Sequence, residues 1–254
     1  MGLDIDPSKL PASLKKNKDS LFHFNQAIID ATRDHCVSYK INTAFYEALG
    51  VPGWELLERT VHYIGKTHFT IADAKRGDIG NTSTQYAKAF FETLPFDAIT
   101  VAPYMGADSV QPFLDYPGKW TILLALTSNP GAADFELQKL ADERLFEKVI
   151  RTACQWGQPD NLMFVVGATQ TAELQHIRHL CPEYFFLVPG IGAQGGSLQE
   201  VSERGLVKKT GGILVNASRA ILYASSGDDF DRQAQKIAAQ YHQEMKEYLN
   251  QFAR

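Results

Sequence analysis

Short apolar runs recur along the chain at residues 2–6, 35–41, 69–74, 98–102, 121–126, 162–168, 184–188 and 213–215. Each is rich in Val, Ile, Phe or Leu, and most are short enough to be strands buried on both faces. Segments of helical period lie between them. In the last, Phe230, Ala234, Ile237, Ala238, Tyr241, Met245, Tyr248, Leu249 and Phe252 fall at steps of three or four and form one apolar stripe, with Asp228 or Asp229 available as a cap. Another helix is expected after Ile79, with Ala87, Phe90, Phe91 and Leu94 on one face. Further helices are expected over 20–34, 54–64, 137–156 and 171–179, and short ones at 109–114 and 199–207.

This makes eight strand–helix units in strict alternation, which implies a parallel sheet with right-handed crossovers. Eight such units in 254 residues favour an α/β chain folded as a single (β/α)8 TIM barrel domain over residues 1–254. Chemistry in such barrels sits on the loops that leave the C-terminal ends of the strands. The first run begins almost at residue 1, with nothing ahead of it to close the barrel floor.

Composition narrows the function. The chain carries 25 Lys+Arg against 29 Asp+Glu, a net charge of −4, which argues against nucleic acid or a membrane surface as partner. No apolar run approaches the length of a membrane span. The three cysteines, Cys36, Cys154 and Cys181, form no CxxC pair, so neither a disulfide scaffold nor a structural zinc site is expected. The first residues lack the apolar core of a signal peptide, so the expected location is cytoplasmic.

The densest polar cluster is DAKRGDIGNTS, Asp73 to Ser83, where the third strand ends. Residues two apart on a strand share a face, so Asp73 and Lys75 would point together into the barrel mouth. Asp78 follows three residues on, and Thr82 lies one helical turn beyond it. The expected result is a lysine flanked by two carboxylates, which favour its ammonium form. That suits a proton donor and opposes a Schiff-base nucleophile. A solvated charged loop with an N-cap aspartate is the bland alternative.

The second cluster is VPGIGAQGGS, Val188 to Ser197, with G-x-G-x-x-G at Gly190, Gly192 and Gly195. A Rossmann fingerprint should close the first strand and be followed about 20 residues later by an acid. This one follows the seventh strand, and residues 205–227 hold no Asp or Glu. The better reading is a glycine loop whose amides approach a phosphate, with Arg219 at the end of strand eight as its cation. An ordinary turn and a surface salt bridge are the respective alternatives.

Lys40 ends the second strand, where it would neutralise a substrate or pair with an acid. Asp4 ends the first and could accept bonds from sugar hydroxyls. Thr127, Ser128 and Asn129 end the fifth and could read a polar ring edge, although the same residues make turns. Gly65-Lys66-Thr67 lacks the first glycine of a P-loop, and His176 and His179 lack the acid of a zinc protease helix. Nothing demands a metal, although Asp73 and Asp78 are of the type that bind magnesium.

With these residues in view, the chain resembles the orotidine 5′-phosphate decarboxylase family, in its longer bacterial subgroup. GLDIDP, FNQAIIDAT, SYKIN, DAKRGDIGNTS, TSNPGA, VPGIGAQGG and VNASRAI occur in the family's order from Gly2 to about Tyr223. Members usually carry residues ahead of the GLD strand. The resemblance implies conversion of orotidine 5′-phosphate to uridine 5′-phosphate and carbon dioxide, with no metal or organic cofactor. It assigns Lys75 as proton donor to C6, Asp73 as the carboxylate beside the scissile group and Lys40 as its charged neighbour. Asp4 matches the ribose contact, Ser128 the pyrimidine contact, Pro189 and Gln194 the closing loop, and Arg219 the phosphate contact. Asp78, Ile79 and Thr82 match residues lent to a partner subunit, which implies a homodimer. The competing readings are a magnesium-dependent sugar-phosphate barrel, whose relatives place an acid where this chain has Lys40, and an inactive phosphate-binding barrel.

Overall fold

The apolar runs form a nearly closed parallel barrel. A computed structural model describes residues 1–15, 19–192 and 195–253. Its main sheet contains β1 (Ser38–Asn42), β2 (Phe69–Arg76), β3 (Ala98–Val101), β4 (Trp120–Leu126), β7 (Leu162–Val166), β8 (Phe185–Pro189) and β9 (Ile213–Asn216), hydrogen-bonded in that order. Between β4 and β7 lies a separate antiparallel ribbon of β5 (Lys139–Leu140) and β6 (Glu143–Arg144).

The expected strand at 2–6 is the main departure. It shrinks to a single bridge between Gly2 and Lys40, so the sheet has seven full strands rather than eight. Residues 1–3 nevertheless fill the gap between β9 and β1. Gly2 N donates to Ala217 O at 2.9 Å, Lys40 N to Met1 O at 2.8 Å and Leu3 N to Lys40 O at 2.9 Å. Ile5 N then turns back to Leu3 O at 3.1 Å, which ends the pairing. Glycine is required at position 2, because a Cβ there would lie 1.8 Å from Ser218 Oγ.

Strand alternation divides the core in two. Ile71, Ala98, Ile122, Met163, Val165 and Leu187 form a cluster inside the barrel. Their sequence neighbours Ala72, Ile99, Leu123, Phe164 and Phe186 face outward into the larger cluster shared with the helices. Each strand is therefore apolar on both faces, as its unbroken run requires.

The surrounding helices are α1 (Ser20–Thr32), α2 (Ala44–Glu47), α3 (Val51–Ile64), α4 (Gly80–Lys88), α5 (Ala107–Leu114), α6 (Leu145–Ala153), α7 (Thr171–Leu180), α8 (Leu198–Gly205), α9 (Arg219–Leu222) and α10 (Phe230–Phe252). Most agree with the periodicity to within a turn. The stripe after Ile79 is buried as read at Ala87, Phe90, Phe91 and Leu94, with a π-helical turn at Ala89–Thr93. The helix expected over 137–156 is shortened to α6. Ala141, at φ 55, turns the preceding residues into the β5–β6 hairpin, and Leu140 stays 49% exposed. Asp229 occupies the N-cap position of α10, but its carboxylate accepts from Ser225 Oγ and Gln233 Nε2 instead of a helix amide. Among the described residues no helix is long and apolar enough to cross a membrane.

Arg178 ties α7 and α8 to the base of the barrel. Its buried guanidinium donates to the carbonyls of Tyr184 at 2.6 Å, Gly205 at 2.8 Å and Gly212 at 2.8 Å, and lies 3.8 Å from the centre of the Phe186 ring. Methionine would keep the packing but strip the guanidinium donors from the Tyr184 and Gly205 carbonyls, while Gly212 O keeps the Phe186 amide at 2.9 Å; each buried acceptor so orphaned costs about 1–3 kcal/mol. Arg178→Met is therefore expected to lower the thermal midpoint by roughly 5–10 °C. An unshifted midpoint in a melting experiment would remove this assignment.

Candidate active site

The C-terminal ends of the strands surround a cavity of about 290 Å³. One half is charged. Lys40 on β1 and Asp73 on β2 point inward, and their Nζ–Oδ2 distance is 2.7 Å. Lys75 Nζ lies 2.6 Å from the other oxygen of Asp73, and Asp4 Oδ1 lies 3.6 Å from Lys40 Nζ. The result is a row of alternating charge, Asp4–Lys40–Asp73–Lys75. The opposite half is apolar, with Leu124, Val165 and Leu187 lining it from β4, β7 and β8.

The row fixes its own charge states. Burial alone would push the Asp73 carboxyl up, but Lys40 and then Lys75 outweigh it and hold the group at about 2. Burial likewise disfavours the Lys40 ammonium, yet Asp73 and Asp4 raise its pKa above the ordinary lysine value. Lys40 is 5% exposed at its side chain and Lys75 is 50% exposed. Lys40 therefore acts as a built-in counter-ion, whereas the Lys75 head is open to a ligand.

A bulge in β2 sets this arrangement. Ala72 pairs with Ile99 and Arg76 with Val101, so residues 73–75 are opposed by Thr100 alone. Lys75 adopts φ 47, a left-handed conformation that costs energy for a residue with a Cβ. Its amide donates to Thr100 Oγ1 at 2.9 Å, and that hydroxyl donates to Asp73 Oδ1 at 3.1 Å. Bulges of this kind re-aim side chains beside functional sites.

The far end of the cavity is suited to an anion. Gly190 and Gly192 have φ 101 and 75, open to residues without a Cβ. The loop folds on itself through Gly195 N to Gly192 O at 2.9 Å and Gly196 N to Gly190 O at 3.3 Å. Arg219, the first residue of α9, is exposed at the rim and pairs with no carboxylate among the described residues. Two buried acceptors, Asp4 Oδ1 and Asn216 Oδ1, lack a hydrogen-bond donor. Both residues line the cavity.

Of the residues singled out from the sequence, Asp4, Lys40, Asp73, Lys75, Ser128, Pro189 and Arg219 line this one cavity. Gln194 lies outside the described residues. Asp78, Ile79 and Thr82 do not line it. The expected second carboxylate flank on Lys75 is thus absent among the described residues, because the chain turns away after the bulge. Asp78 Oδ1 accepts instead from Ile79 N at 2.8 Å, and Ile79 is 61% exposed. Sequence reading missed Thr100, Asn42 and Asn216. The available signal was a polar residue at an inward strand position, two residues from an apolar or charged inward neighbour.

The sequence profile of the Orotidine 5'-phosphate decarboxylase / HUMPS family matches residues 14–237. An orotidine 5′-phosphate decarboxylase of Christiangramia forsetii is 58% identical over 233 residues, covering 91% of this chain and 85% of its own length. One from Phocaeicola vulgatus is 55% identical over 248 residues, covering 94% and 91%. Among solved structures, Leishmania donovani OMP decarboxylase superposes with a TM-score of 0.81 at 34% identity, over 95% of this chain and 92% of that one. The chain belongs to the orotidine 5′-phosphate decarboxylase / HUMPS family.

Proposed function

We propose that this protein converts orotidine 5′-phosphate to uridine 5′-phosphate and carbon dioxide, putting a C6–H bond in place of the C6–carboxylate bond. The observation that carries the reading is Asp73 held between Lys40 and Lys75 at 2.7 and 2.6 Å. In the reaction the C6–carboxylate bond breaks, carbon dioxide leaves, and the electron pair stays on C6. Lys75 Nζ gives C6 a proton and regains one from water. An ammonium fixed beside the developing carbanion stabilises it before transfer, an effect that grows as the site is dried.

The remaining residues serve binding. Asp4 accepts from ribose hydroxyls, which fits its place in the cavity lining. Ser128 meets the pyrimidine edge. Pro189 and Gln194 belong to the loop that closes, and Arg219 takes the phosphate. Phosphate binding far from the breaking bond supplies the energy for loop closure and water exclusion. Arg219→Ala is expected to raise KM by about 100-fold with a smaller change in kcat, since a charge-assisted contact is worth about 2–3 kcal/mol. Unchanged KM and kcat/KM in steady-state assays would refute that role.

One barrel domain over residues 1–254 supplies this machinery, and the working form is a cytoplasmic homodimer. Asp78, Ile79 and Thr82 of each copy reach the partner's cavity, which accounts for an exposed isoleucine beside the charged segment. Mixing Lys75→Ala with Asp78→Ala protein then restores activity that neither has alone, and failure to complement excludes shared sites.

The magnesium-dependent reading is disfavoured by charge. Both oxygens of Asp73 are already held by ammonium groups, and Lys40 stands where that chemistry requires an acid. The test is loss of orotidine 5′-phosphate absorbance at micromolar enzyme, with and without a chelator. Equal rates in both support the proposal. No turnover, or turnover of a ketose phosphate that needs magnesium, overturns it.

A further inference from the structure

We propose that Thr100 is a positioning residue that holds Lys75 and Asp73 in their reactive arrangement through its hydroxyl. This rests on the decarboxylase reading for its kinetic consequence, although the contact itself is independent of it. Thr100 is fully buried on β3, and its neighbours on either side, Ile99 and Val101, pack outward. Its inward position is one that Ala98 and its counterparts on β4 and β7 fill with apolar side chains. A hydroxyl at such a place needs partners, and it has two.

The first partner follows from the bulge. With residues 73–75 set against one residue of β3, the Lys75 amide has no carbonyl of the ladder to meet. Thr100 Oγ1 accepts that N–H at 2.9 Å and so stabilises the left-handed backbone at Lys75. The second partner is Asp73 Oδ1, which receives the hydroxyl proton at 3.1 Å and also the Lys75 ammonium at 2.6 Å. One oxygen atom thus fixes the main chain of the lysine and the carboxylate that orients its head. Without it, the lysine relaxes toward an ordinary extended conformation and the ammonium swings off the reaction line. Misplacement by about 1 Å is sufficient to cost on the order of 100-fold in rate.

The experiment compares Thr100→Val, Thr100→Ser and Thr100→Ala. Valine has the same shape without the hydroxyl, and serine restores it. For orotidine 5′-phosphate, kcat is expected to fall about 100-fold in Thr100→Val, while KM and the affinity for uridine 5′-phosphate stay within a few-fold. Thr100→Ser should regain most of the rate. A Thr100→Val kcat within threefold of wild type overturns the proposal. If the valine variant gives no cooperative melt, Thr100→Ala decides the matter on the same criterion. Hydrogen exchange of the Lys75 amide provides a readout without catalysis: it should be slow in wild type and Thr100→Ser and fast in Thr100→Val. Equal exchange in all three overturns the proposal even if the wild-type protein does not decarboxylate the nucleotide.

Discussion

Lys75→Ala is expected to reduce kcat/KM by about four orders of magnitude or more, equivalent to roughly 5.5 kcal/mol of transition-state stabilisation. Loss of a single neutral donor to a developing anion costs about 100- to 1,000-fold. Lys75 brings a full charge and the transferred proton together, so its loss should exceed that range. The fold should survive, because the side chain is half exposed and its ion pair is one of two on Asp73. Circular dichroism and a melting curve close to wild type would separate lost chemistry from lost structure. A kcat/KM within tenfold of wild type would contradict the role given to this lysine.

Asp73→Asn is expected to be the second most damaging change, and it acts on both rate and stability. The amide removes the anion between two ammonium groups, leaving buried Lys40 with Asp4 at 3.6 Å as its nearest carboxylate. Breaking a buried pair by removing one member costs about 3–5 kcal/mol. The rate should fall by roughly 1,000-fold as Lys75 loses its orienting charge. The stability effect carries a pH signature. The Asp73 carboxyl is held down at about 2 in the folded chain, against 3.8 for a free aspartate. Its ionised form therefore contributes in full above pH 4, and that contribution fades as the pH falls toward 2. The stability gap between wild type and Asp73→Asn should be constant at higher pH and shrink through this window. Denaturant titrations at pH 6 and pH 3 that give the same gap would show that the carboxylate charge is not what holds the row together.

The barrel's wall was legible because a strand buried on both faces must be an unbroken apolar run. Seven of the expected runs match strands of the barrel to within three residues at either end, and most helices follow their apolar stripes to within a turn. The two failures have local causes. Residues 137–144 read as the start of a helix over 137–156, but the sequence pattern cannot report a left-handed turn at Ala141 that sends the chain into a hairpin. Residues 2–6 read as a strand, yet Gly2 is the sole bridged position because its neighbours turn to carry Asp4 to the mouth.

The site was legible in its residue types and only partly in its geometry. Alternation placed Asp73 and Lys75 on one face, and the strand ends collected Asp4, Lys40, Ser128, Pro189 and Arg219 around one cavity. Spacing also put Asp78 beside Lys75, and this failed because the bulge breaks the regular period on which the inference rested. Thr100 stood out in its own stretch only as a polar residue at an inward strand position, and its importance depends on a gap in the adjoining strand.

By itself, the sequence determined the alternation of elements, the apolar wall and the kinds of charged group at the strand ends, because these are set by short-range period and composition. Tertiary structure decided which charges touch, which carboxylate is drawn to about 2, and which residues are turned away from the cavity. Those outcomes depend on register between strands distant in the chain, and the bulge in β2 re-aims the side chains beside it.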